Sequence, residues 1–226
     1  MARLTFLESI LQAKNALLMG IGNTLTASAY AILISTAVGL LFGYILAYGN
    51  KYVRWPFRLY VDIIRGIPGL VIVFTVYYFS DYWLRSVGVK LSPFVAGYIS
   101  LSVNASAHTA EMTRGALQDI PKGQIDAGKA IGMRFGQVFY HVLLPQALVR
   151  MLPPWVNTLT EIVKGSTLLQ LIGVTELLLT TQQLISRNNN ALRYYAFAGV
   201  IYFVINFALE RVGKFAEKKI SRGINA

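Results

Sequence analysis

Residues 126–145 read DAGKAIGMRFGQVFYHVLLP. The stretch is polar, punctuated by glycine, and set between strongly apolar segments. Its pattern predicts a helix–loop–helix, with Gly132 permitting the tight turn between the two halves and Leu144-Pro145 closing the unit off. Ile131, Phe135, Val138, Phe139 and Val142 would give the two short helices one apolar face. An apolar chain has no packing reason to carry such an insert unless something soluble reads it. The insert therefore implies that this chain is one part of a larger machine.

The surrounding sequence is that of a membrane protein. Of 226 residues, 55% are hydrophobic and 14% charged, against about 25% charged in an ordinary soluble domain. Residues 15–50 contain no charged side chain. About 20 apolar residues cross the hydrocarbon core, so this run spans with turns to spare. A secretory signal has a shorter apolar core, about 7–15 residues, followed by a small-x-small cleavage pattern that is missing here. The run reads as a retained first span. The net charge of +11 would suggest nucleic acid in a soluble protein. Here Lys and Arg cluster beside the apolar segments, as the positive-inside bias requires, and Tyr and Trp fit interfacial belts. Nucleic acid is not an expected partner. With no cysteine, there is neither a disulfide framework nor a thiolate metal site.

Residues 3–18 place Leu4, Leu7, Ile10, Leu11, Leu17 and Leu18 near helical spacing between Arg3, Glu8 and Lys14. This predicts an amphipathic helix within residues 1–20 that lies in the interface. Spans are expected at 23–48, 59–83, 92–117, from 148 onward, and at 194–209. The fold class is thus an all-α membrane protein, with a core of five transmembrane helices over residues 22–218 and a cytoplasmic insert at 121–145. RGIPG at 65–69 should break or kink the second span. The third is rich in the small residues that let membrane helices approach closely. The fourth is interrupted by Pro153-Pro154, Gly165 and Gly173. Residues 187–190 (RNNN) read as an external loop, and Arg211, Lys214, Lys218, Lys219 and Arg222 as a basic tail. Lys and Arg concentrate at the first loop, the insert and the tail, which puts the N-terminus outside and the insert and C-terminus in the cytoplasm.

Polar residues inside spans are costly and usually functional. Asn104 and His108 share a face of the third span, with Glu111 one turn on. Asn157, Glu161 and Lys164 form a second stripe on the fourth. Two readings stand. In the first, the stripes line a central cavity for a zwitterion, Lys164 meeting a carboxylate and Glu161 or Asn157 an ammonium. Alternatively they are helix–helix contacts, with Glu161 and Lys164 neutralising each other. A break at Gly165 favours the first, since broken helices expose backbone groups at substrate sites. Arg65 with Asp62, and Arg114 with Glu111, have the spacing of i,i+3 ion pairs. His108 and His141 are too isolated for a metal site. No nucleophile elbow and no G-x-x-x-x-G-K-[ST] phosphate loop occur, so catalytic, cofactor and metal sites are not expected and the chain is not itself an enzyme.

The triplet Asp126-Ala127-Gly128, followed after three residues by Gly132 and ending in Val142-Leu143-Leu144-Pro145, resembles the EAA motif of ABC importer permeases. The flanking run 107–147, RGIP at 65–68, LPP at 152–154 and IGVTEL at 172–177 resemble the polar amino acid uptake subfamily, in order and over most of the chain. The resemblance implies a single permease domain over 1–226, resident in the bacterial cytoplasmic (inner) membrane. It implies that Asp126, Ala127, Gly128, Gly132 and Pro145 couple the chain to a separate ATPase, present in two copies, which binds ATP and Mg. It further implies a second permease, identical or paralogous, and an extracytoplasmic substrate-binding protein. The expected substrate path is Asn104, His108, Asn157, Glu161, Lys164, Ser166 and Thr167. The chain departs from the family pattern at three points. Asp126 stands for Glu, Gly128 for a second Ala at a cost of about 1 kcal/mol of helix propensity, and the run Lys164-Gly165-Ser166-Thr167 lacks the acid that often follows the lysine. Glu161, one turn before Gly165, is expected to replace that acid in part. A gradient-driven transporter would need intramembrane ion sites and internal repeats. A membrane scaffold would explain the insert but not the stripes.

Overall fold

Residues 14–48 contain no proline and no charge after Lys14, and they form one helix, α2 (Lys14–Tyr48). The computed structural model describes residues 6–224 apart from Val87 and Asn189. Ahead of α2 lies α1 (Phe6–Gln12), separated from it only by Ala13. Arg3 and Leu4 of the expected amphipathic helix lie outside the described residues. Of the rest of that expected helix, Phe6–Gln12 form α1 and Lys14, Leu17 and Leu18 belong to α2. Ser9 is buried and its hydroxyl meets that of Tyr194, while the Phe6 ring sits 5.1 Å from the Tyr194 ring.

The chain continues as α3 (Lys51–Gly66), α4 (Gly69–Ser86) and α5 (Pro93–Gln118). RGIPG does more than kink a span. Ile67 is extended, as a residue before proline prefers, and the axes of α3 and α4 differ by 114°. The expected second span, 59–83, is thus two elements. Asn50 starts α3 by accepting from the Val53 N–H at 2.9 Å. One face of α3 packs Phe57, Tyr60, Val61 and Ile64 against Phe42, Leu46, Ala107 and Ala110. The opposite face leaves Tyr52 and Trp55 exposed.

The insert supplies α6 (Lys122–Ala130) and α7 (Phe135–Val138). A π-helical turn (Phe139–Leu143) leads into α8 (Leu144–Gly165). A 3₁₀ segment (Ser166–Ile172), α9 (Leu177–Asn188) and α10 (Ala191–Ile224) complete the chain. Arg187 and Asn188 of the expected loop at 187–190 end α9, Asn190 lies outside any helix, and Asn189 is outside the described residues. The basic tail is a continuation of α10, not a loose end. Gly213 lies against α8 so closely that a Cβ there would sit 2.3 Å from Val156 Cγ2.

No strand occurs among the described residues. Two helices, Lys14–Tyr48 and Ala191–Ile220, are each long and apolar enough to cross a membrane, and up to four crossings result if each bent pair forms one span. Helix α5 is absent from that set because its buried positions are largely Ser, Thr, Ala and Gly. Those residues make the main contact of the fold. A stripe of Ala27, Ala31, Ser35, Gly39 and Gly43 runs down α2, and small residues let helices approach to backbone contact. A Cβ on Gly39 would fall 2.4 Å from Thr109 Cβ, and one on Gly43 would fall 2.3 Å from Thr113 Cβ and 2.6 Å from the Ala110 carbonyl. Glu111 ties α3 to α5: it takes Arg114 at 2.6 and 3.0 Å and Arg58 at 3.1 Å, with Arg65 at 4.0 Å. The expected Arg65–Asp62 pair is replaced by Arg58–Asp62 at 2.9 Å.

Gly43→Val should force α2 from α5. Overpacking of this kind costs about 1–3 kcal/mol, so the melting temperature of the purified protein should fall clearly. Gly22→Ala, with no atom within 4 Å of the new Cβ, should leave it unchanged.

Candidate coupling insert and intramembrane cavity

Gly132 ends α6 at φ 83°, the left-handed conformation that favours glycine. Its N–H donates to Lys129 O at 2.9 Å and the Met133 N–H donates to Gly128 O at 3.0 Å. These two bonds form a Schellman motif. Gly128 is the buried residue of α6. A Cβ on it would lie 2.8 Å from Val138 Cγ2, and Val138 is fully buried. The departure from Ala in the triplet therefore has a packing cause: the two halves of the insert touch through Gly128. Asp126, Ala127 and Lys129 face outward.

The expected apolar face splits. Val138 with Leu143, and Phe139 and Val142 beside them, pack on Leu117, Ile120 and Met151. Phe139 meets the Tyr44 ring at 5.0 Å, and Phe135 meets the Tyr48 ring at 5.3 Å. Most of that face seats the insert on the ends of α2 and α5. Ile131, 79% exposed, stands outward beside the polar side of α6, and Phe135 and Tyr140 of the second half are also exposed. His141 is exposed, with Nδ1 2.9 Å from Gln137 O.

Pro145 does not close the insert off. Helix runs from α7 through the π turn into α8 with no loop between. Proline cannot donate to the preceding turn, and its ring clashes with the carbonyl four residues back. The widened register, with Leu144 N–H donating to Phe139 O, accommodates it. The insert and α8 are thus one body.

The polar stripes are partly brought together. Asn104, His108 and Glu161 line one recess with Gly69, Thr158 and Gly165, between α4, α5 and α8. Its volume is about 50 Å³, room for a water molecule or two, so a larger solute requires these helices to separate. Lys164 is turned elsewhere, into a groove of about 400 Å³ shared with Tyr202, Asn206 and Glu210 of α10. Asn157, Glu161 and Lys164 all lie on the exposed flank of α8. Glu161 and Lys164 do not pair with each other. Ser166 is fully buried and donates to Val163 O at 2.7 Å, and Thr167 donates to Lys164 O at 2.7 Å. Gly165 does not open the backbone: the helix tightens there into 3₁₀ and ends at Gly173, φ 84°.

The roles of three residues escaped the sequence reading. Thr158 and Gly69 line the recess, yet neither stands out in sequence. Glu176, 1% exposed, starts α9 by accepting from the Leu178 and Leu179 N–H groups at 2.8 and 2.7 Å and from the Tyr202 hydroxyl at 2.7 Å. An acidic residue directly before an apolar run is a helix-start signal, and it was available.

Space around Gly132 is open, so only backbone conformation limits substitution there. Gly132→Asn should be tolerated, because Asn enters the left-handed region readily. Gly132→Leu should distort the turn while leaving the helical core folded. Circular dichroism and thermal melts of the two variants would check this, and equal melts with equal protease sensitivity within 121–145 would contradict it.

The comparisons with known proteins agree on one assignment. Residues 39–222 match the family described as binding-protein-dependent transport system inner membrane component. The chain is 33% identical over 186 or more residues to relatives that include the L-cystine transport system permease protein TcyB of Bacillus subtilis (strain 168), covering 88% of this chain and 87% of that one. It is 31% identical to the glutamine transport system permease protein GlnP of Escherichia coli (strain K12), with 90% and 92% covered. A solved structure of an amino acid ABC transporter with histidines aligns with a TM-score of 0.84 at 26% identity, covering 97% of this chain and 100% of that one. The chain belongs to the family of inner membrane permease components of binding-protein-dependent transport systems.

Proposed function

We propose that this chain is the permease subunit of an ABC importer for a polar amino acid or close relative. It forms half of the path, and a second permease, identical or paralogous, forms the other half. Two ATPase subunits, holding ATP and Mg, dock on the insert from the cytoplasm, and a substrate-binding protein delivers cargo from outside. The transmembrane core has five crossings, with α4 as the second and α8, the 3₁₀ segment and α9 together as the fourth, the N-terminus outside and the C-terminus inside.

The observation that carries this reading is the combination found on one packed body, in which α6 turns back through Gly132 onto the continuous α7–π turn–α8 helix. At one end stands an insert with an exposed polar face containing Asp126 and Ala127. Further along stands a flank with Asn157, Glu161 and Lys164 exposed. Charged side chains facing hydrocarbon are costly, so this flank faces a second protein surface or a water-filled path. Closure of the ATPases moves the inserts. Because the insert is packed on α2 and α5 and continuous with α8, the movement parts α8 from α4 and α5 and opens the recess at Asn104, His108 and Glu161. Gly165 lines that same recess, which supports Glu161 as the substitute for the missing acid. Asp126, Ala127, Gly128, Gly132 and Pro145 shape the coupling surface and its junction. Lys164, Ser166 and Thr167 support the path from the α10 side.

Vesicles holding the permease with its ATPase and loaded binding protein should take up cargo only with ATP. Uptake driven by an ion gradient without ATP, or ATPase binding without uptake, would favour the secondary-transporter or scaffold reading. Within that system Glu161→Gln should lower cargo-stimulated ATPase activity and alter the range of amino acids accepted. An unchanged range with unchanged stimulation would remove Glu161 from the path.

A further inference from the structure

Helices α2 and α8 are tied at two levels. Trp155 Nε1 donates to Thr36 Oγ1 at 3.0 Å. About 12 Å further along α2, the Tyr44 ring meets Phe139 of the π turn at 5.0 Å. Between these ties a trough remains, with Leu117 and Ala147 buried beneath it and Leu148 at its rim. It consists of two hollows, of about 470 and 180 Å³, that share Leu40, Leu148 and Met151. That is the size of a small-ligand pocket.

The trough is apolar along its length. Its two threonines are already engaged: Thr36 accepts from Trp155, and the Thr113 hydroxyl donates to Thr109 O at 2.7 Å. It is not built for another membrane helix either. Such contacts run through small residues, and the small stripe of α2 is already taken by α5. The exposed positions beside it on α2, Leu33, Ile34 and Leu41, belong to the charge-free run, so the trough opens toward hydrocarbon.

Positive charge gathers at the insert end. Phe135 lines the trough there and meets the Tyr48 ring at 5.3 Å, and Arg134 directly precedes it. Arg54 reaches the same end of α2, donating to Gly49 O at 3.2 Å and Ala47 O at 3.5 Å. Both arginines are exposed, and among the described residues neither is in an ion pair. The occupant that complements this arrangement is apolar along its length and anionic at one end.

We propose that the trough is a binding site for an anionic phospholipid, with one acyl chain between α2 and α8 and the headgroup phosphate on Arg54 and Arg134. Guanidinium groups match phosphate through paired hydrogen bonds, and basic pockets beside membrane helices suit anionic headgroups. A chain held there touches α2, the insert and α8 at once. The site is separate from the recess at Asn104 and His108, and it stands whatever the cargo.

Trp155 closes one end of the trough and serves as the probe. Trp55 and Trp83 are 68% and 58% exposed, so the full chain with Trp55→Phe and Trp83→Phe keeps its fold and leaves Trp155 as the one tryptophan. Its fluorescence in neutral detergent is titrated with phosphatidylglycerol or phosphatidylcholine, each brominated on the same acyl chain. Quenching should saturate for both, with half-saturation about tenfold lower for phosphatidylglycerol, the scale of a hydrogen bond to a charged group. Unbrominated phosphatidylglycerol should restore the emission, and inorganic phosphate should not. Arg54→Gln with Arg134→Gln should bring the phosphatidylglycerol curve onto that of phosphatidylcholine, which itself stays in place, and the paired Lys variants should keep part of the difference. Coincident curves in the starting protein overturn the proposal. So does quenching that rises without saturation, which marks bulk lipid, and so does its absence, which marks a trough covered by a second copy or another chain. Relief by inorganic phosphate, an unchanged preference in the Gln variant, or an equal weakening of both lipids there overturns it as well.

Discussion

The close approach of α2 and α5 is the contact on which the rest of the molecule depends. It is made by absence. Gly39 and Gly43 leave room that Thr109 and Thr113 fill, with clearances that no Cβ could share. Between membrane helices there is little hydrophobic driving force, since lipid is as apolar as any side chain, and van der Waals fit becomes the main source of attraction. A stripe of small residues therefore does in the bilayer what a leucine seam does in water. Once α2 and α5 are joined, their ends form a platform. Helix α3 is laid across one side and held by the Glu111 cluster. The insert is seated on the other through Val138, Leu143 and Phe139.

That arrangement explains why the insert is amphipathic in an unexpected sense. Most of its apolar residues seat it on the ends of α2 and α5, and its polar α6 surface is presented outward. In the proposed docking role, an insert packed this way keeps a fixed position before any partner arrives, and preorganisation of this kind lowers the ordering cost of binding. The two glycines within it act differently. Gly132 is required by a backbone angle and Gly128 by the proximity of Val138.

Much of this was legible in the amino-acid order. The charge-free run 15–50 announced α2, the small residues of 92–117 announced close packing, and the spacing from Asp126 to Pro145 announced the insert. The turn at Gly132 could be read because a left-handed residue leaves a glycine behind. What could not be read depended on neighbours distant in sequence. The separation of Glu161 from Lys164 follows from α4 and α5 lying on one side of α8 and α10 on the other, and helical spacing alone put them on a shared stripe. Pro145 looked like a terminator because proline usually is one. The π turn that absorbs it has no sequence signature of its own. The break at 65–69 was visible, but its angle was not: a kink and a turn of 114° use the same residues.

The exposed flank of α8 also sets a condition on how such a protein is made. Under the proposed pairing with a second permease, a newly inserted chain that has not met it keeps Asn157, Glu161 and Lys164 exposed on α8, and a charged residue near a helix centre costs about 2.5–3.5 kcal/mol on insertion scales. An orphan copy is therefore held in the membrane less securely than an assembled one. Under that pairing, assembly and retention in the bilayer are linked through three polar side chains exposed along α8.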